Sequence, residues 1–107
     1  MGFNVHFYKR MSQPMTISNL TYNYSIPECD KYWNGRRDYH MKTVGEARET
    51  MRLAIELMEE DGIIPSEFSK NYVRPTRETM VNDMLMWLKI NYYDLEKMDE
   101  DLLVILE

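Results

Sequence analysis

Two stretches of the chain, near 44–61 and 77–96, repeat apolar residues every three or four positions, so any fold must find cover for two helical stripes. In the first, Val44, Ala47, Met51, Ala54, Ile55 and Met58 recur at helical intervals. Thr43 and Glu46 have the spacing of a capping box at its start, and Gly62 supplies the left-handed residue that ends a helix. In the second, Met80, Met84, Trp87, Leu88, Asn91 and Leu95 form a stripe that Val81, Leu85 and Tyr92 widen, with Thr76 as the expected cap. So broad a face predicts more than one packing neighbour. Methionines at these positions read as core, where a flexible thioether fills space.

The first part of the chain predicts strands. Phe3, Val5 and Phe7 alternate with Asn4, His6 and Tyr8, the period of a half-buried strand near 3–8. Leu20, Tyr22, Tyr24 and Ile26 alternate with polar residues in a second predicted strand near 17–26, which Pro27 closes. Asn34-Gly35 is a hairpin signal within 31–40, because both central positions of a type I′ turn need positive φ. The wholly apolar run 102–106 predicts a last, buried strand. The expected architecture is therefore α+β: one domain over 1–107, with a small antiparallel or mixed sheet covered on one face by the two long helices.

Charge and composition narrow the function classes. The 107 residues carry a net charge of −5, split as +3 over 1–42 and −8 over 43–107. An acidic total disfavours general nucleic-acid binding, which rests on a basic face. No apolar run approaches the roughly 20 residues of a membrane span, so no membrane partner is expected. Cys29 is the single cysteine, which precludes an intrachain disulfide and points to a reducing cytoplasm.

No cofactor is expected. Cys29, Asp30, His6 and His40 lack the paired spacings of a zinc site, and Asp99-Glu100-Asp101 lacks the alternating ligands of a calcium loop. Gly2, Gly35, Gly45 and Gly62 are too scattered for a phosphate loop. Nor is there a complete catalytic constellation, and an enzyme is the less favoured reading.

The start Met1-Gly2-Phe3-Asn4-Val5, the strand Leu20-Thr21-Tyr22-Asn23-Tyr24-Ser25, the helix opening Lys42-Thr43-Val44-Gly45-Glu46-Ala47 and the closing apolar run together resemble a group of small bacteriophage and prophage proteins. That group runs a Met-Gly-Tyr-type first strand, a Thr-Tyr-Asn strand, two helices and a short last strand. Here Phe3 replaces the usual Tyr, and the segment from Tyr32 to His40 has no counterpart in it. The resemblance implies a phage origin and this topology, and it carries no catalytic residues to transfer.

Two candidate surfaces follow. Tyr32, Trp33, Arg36, Arg37, Tyr39 and His40 crowd around a turn and combine the residue types that dominate interface energetics, with Arg36 and Arg37 able to clamp an anion. Asn4, His6, Thr21 and Asn23 would share a polar strand face suited to a small ligand. The expected function is a small phage-type accessory protein that binds a host or phage macromolecule, a protein above all, as an inhibitor or anti-defence factor would. The alternative is a small-ligand binder for a nucleotide or other anion.

Overall fold

The computed structural model describes residues 3–8, 14–15, 21–22, 24–67 and 76–106, with side chains for Val5, 24–67 and 76–106. Helix α1 spans Pro27–Asp30, α2 Gly35–Asp38, α3 Val44–Glu60 and α4 Met80–Leu95. The strands are β1 Phe3–Tyr8, β2 Pro14–Met15, β3 Thr21–Tyr22 and β4 Leu103–Leu106.

Local signals account for α3 at both ends. The Thr43 hydroxyl accepts from the Glu46 amide at 3.2 Å, and a Glu46 carboxylate oxygen accepts from the Thr43 amide at 3.1 Å, completing the capping box. At the other end Gly62 takes φ 80°. The Gly62 amide then donates to the Glu59 carbonyl and the Ile63 amide to that of Met58, both at 3.0 Å. This is a Schellman closure, with Ile63 packed back on the core. Helix α4 starts three residues later than predicted. Thr76 instead closes a tight turn, its carbonyl accepting from the Thr79 amide at 3.1 Å.

The α+β expectation of a sheet covered on one face by two long helices is corrected. Of the residues whose side chains are described, 54 % are helical, and β4 is the one strand among them. What lies against α3 and α4 is the segment 24–41, which the sequence assigned to strand and hairpin. Pro27 opens α1 at its first position, where the missing amide hydrogen costs nothing. Asn34-Gly35 makes no hairpin: Asn34 has φ −133° and caps α2, its side-chain oxygen accepting from the Arg36 and Arg37 amides at 2.9 and 3.2 Å. An Asn side chain can bond the backbone just ahead of it in a turn or at a helix start, and here the second use wins. Of the predicted strand 17–26, Thr21–Tyr22 lies in a ladder, 17–20 and 23 lie outside the described residues, and Ile26 precedes α1 as its cap.

Strand β4 is short and held on both edges. It runs antiparallel to β1, with Val5 opposite Leu106 and Tyr8 opposite Leu103. On its other side the Val104 amide donates to the Lys42 carbonyl and the Met41 amide to that of Val104, both at 2.8 Å. Strands β2 and β3 each pair with β1 over two residues. The buried core joins Ala47, Met51, Ala54 and Met58 of α3 to Met84, Leu85, Leu88 and Leu95 of α4, and is closed by Cys29, Trp33, Tyr39 and Val104.

Candidate functional site

The aromatic residues proposed as a docking surface form core. Trp33 and Tyr39 are fully buried, with ring centroids 5.4 Å apart in an edge-on arrangement. Trp87 of α4 lies 5.5 Å from Trp33 and 6.2 Å from Tyr39, and Tyr24 lies 6.2 Å from Trp87. The Trp33 indole donates to the Thr50 hydroxyl at 3.0 Å, and that hydroxyl in turn reaches the carbonyls of Asp38 at 2.9 Å and Ala47 at 2.7 Å. A contact role for Trp33 and Tyr39 is thereby corrected. Large rings serve interfaces and interiors by the same desolvation, and the two helical stripes, which the short strands cover only in part, take the rings. Burial pushes the Tyr39 hydroxyl and the Cys29 thiol up, the latter to about 12, so neither is poised as a nucleophile.

The remaining residues of the segment have defined structural partners. Arg37 directs its Nε and Nη2 at the Asp38 carboxylate and its Nη2 at the Asp30 carbonyl, 2.9 Å away. Its fork is thus committed within the chain. His40 is half-buried, and its Nδ1 accepts from the Leu106 amide at 3.0 Å, tying α2 to the end of β4. The Tyr32 hydroxyl donates to Asp61 at 2.7 Å, and the Lys31 ammonium stands 4.7 Å from the Tyr32 ring centroid. Of the alternative polar face, Asn4 is the register partner of Thr21 and His6 of Ile105, while Asn23 lies outside the described residues.

The surface that the sequence reading passed over is the outer flank of α3. Leu53 and Leu57 are 52 % and 45 % exposed, one helical turn apart. Successive residues turn by roughly 100°, which sets these leucines about 90–130° round the helix from the centre of the buried stripe. Thr50 and Asp61 border them on one side, each bonded to the 31–40 segment through Trp33 or Tyr32. Glu46, Glu49, Glu56 and Glu60, all exposed, share their arc. Arg52 binds Glu49 and Glu56, leaving the strip acidic. The signal was present in the sequence as two leucines standing off the apolar stripe of a helix whose ends were already legible.

Among the described residues no group of three or more His, Cys, Asp or Glu side chains is placed to hold a metal ion, and no helix is long and apolar enough to cross a membrane. No protein-family model matches the chain, and no curated protein or solved structure shows significant similarity to it.

Proposed function

We propose that this is a small phage-type accessory protein that acts by binding a host or phage protein, as an inhibitor or anti-defence factor does. The observation that carries this reading is the apolar strip of Leu53 and Leu57, left exposed on a helix whose inner face is fully packed. A rigid wall stands beside it, since the Trp33–Thr50 and Tyr32–Asp61 hydrogen bonds hold the 31–40 segment against the same helix. Pre-organised apolar surface next to fixed polar groups is what a specific interface needs, because little ordering entropy is lost on binding. Tyr32 and Arg36 would serve at its rim; Trp33 and Tyr39 hold the wall from inside. The anion-binding alternative loses its clamp to the Arg37–Asp38 pair.

The test is capture from bacterial lysate with the tagged chain and its Leu53→Ser/Leu57→Ser variant in parallel, both checked to be folded at the capture temperature. A protein retained in stoichiometric amount by the parent and lost by the variant supports the proposal. Equal retention by both moves binding away from α3, and no retained protein overturns it.

A further inference from the structure

Resting on that binding reading, we infer that the partner offers a basic amphipathic helix to the outer flank of α3. Leu53 and Leu57 repeat along α3 at one helical turn, about 5.4 Å, the pitch at which a second helix presents apolar residues at i and i+3 or i+4. Such a helix laid over the strip would cover both leucines, as helix-on-helix recognition commonly does. Around them stand Glu46, Glu49, Glu56 and Glu60, with Asp61 on the border, against Arg52 on the helix and Lys31 and Arg36 on the neighbouring segment, so the acidic groups outnumber the basic ones. Lysine or arginine flanking the partner's apolar stripe would meet these carboxylates, and an acidic stripe would be repelled.

The same charge pattern decides against the other occupants. Nucleic acid would bring phosphates to a strip that is already negative. A second copy docking through this same patch would set glutamates against glutamates, because a two-fold contact pairs a surface with itself.

The experiment uses the full chain and two labelled synthetic peptides, a Leu/Lys amphipathic helix and the same pattern with Glu for Lys, read by fluorescence anisotropy at low and physiological salt. The Leu/Lys peptide is expected to bind at least about tenfold tighter than the Leu/Glu peptide and to weaken as salt rises. Leu53→Ser/Leu57→Ser leaves the net charge unchanged and should still cost at least about tenfold, since it removes the apolar contact. Glu56→Gln/Glu60→Gln should weaken binding more than Glu96→Gln/Asp101→Asn, which removes the same charge elsewhere. Equal binding of the two peptides, or undiminished binding to the serine variant, overturns the inference. If lysate capture returns a partner that depends on the leucines while the Leu/Lys peptide fails, the basic helix is wrong and the binding reading stands. If capture returns nothing, the reading falls whatever the peptides do.

Discussion

The 31–40 segment and the outer flank of α3 lie side by side and exchange the roles their compositions suggest. The segment holds Trp33, Tyr39 and two arginines, the residue types most often found at binding hot spots, yet both rings are fully buried and Arg37 is paired within the chain. The flank belongs to a helix that reads as scaffold, yet Leu53 and Leu57 stand half in solvent there. Residue type measures how much a side chain gains by leaving water, whatever removes it. Position relative to a periodic stripe says which partner is at hand. For Trp33 the partner is the chain's own Thr50 and Trp87; for Leu53 and Leu57 no element of the described core lies on their side.

The most forceful way to break this contrast is Trp33→Ala. If the ring closes the core, its loss should cost about 3–5 kcal/mol and lower the melting temperature by well over ten degrees for a domain of this size. An unchanged melting curve would return Trp33 to the surface and undo the comparison. Thr50→Val sharpens the point at the boundary between the two regions. It keeps the shape of the side chain but takes away the acceptor of the buried indole N–H and the donor to the Asp38 carbonyl, so a loss of about 1–3 kcal/mol is expected in chemical denaturation. A neutral result would mean that the segment is held to α3 by packing alone.

The ends of α3 and the last strand were legible in the sequence, whereas the turn at Asn34 and the direction of the aromatic rings were not. Thr43, Glu46 and Gly62 mark the ends of α3 because capping and left-handed termination involve neighbours alone. The run 102–106 was legible as β4 since five consecutive apolar residues need cover on more than one side. Asn34-Gly35 was misread because the dipeptide suits a hairpin and a helix start equally, and what selects the latter includes Asp38, whose carboxylate accepts from the Asn34 amide at 2.9 Å. The sheet was over-read for a different cause. Thr21 and Tyr22 do pair with β1, but Tyr24 turns to Trp87 and Ile26 caps α1, so the helical stripes take much of their cover from 24–41. At the candidate site the segment's aromatics were identified and their direction missed, whereas Leu53 and Leu57 could have been found by asking which apolar residues of α3 stand off its stripe.

A smaller effect tests whether α3 is a rigid platform for both regions. Thr43→Ala should cost about 1 kcal/mol by removing one half of the capping box. The other half is acid-sensitive in a defined direction. Backbone and side-chain hydrogen bonds from Thr43 hold the Glu46 carboxyl below its ordinary range, so its contribution is present above the unfolded-state value and is lost as pH falls through the lower folded value. The penalty of Thr43→Ala, measured by denaturant titration at neutral pH and again below the ordinary glutamate range, should therefore shrink in acid. A penalty that grows in acid would contradict this coupling.

The smallest expected effect carries the most information about the contrast. Leu53→Ser/Leu57→Ser should cost about 0.5–1 kcal/mol per site, because each side chain has only about half of its apolar area to lose from the protein and serine is only modestly poorer than leucine in a helix. Set beside the several kcal/mol of Trp33→Ala, so small a loss would show that the fold does not depend on these leucines and that the flank is open for a partner to meet. A loss of more than about 2 kcal/mol per site would reverse the roles, since it would require Leu53 and Leu57 to be covered in solution by part of the chain itself. In that case the flank is interior, and neither a protein partner nor a basic helix has a surface there to bind.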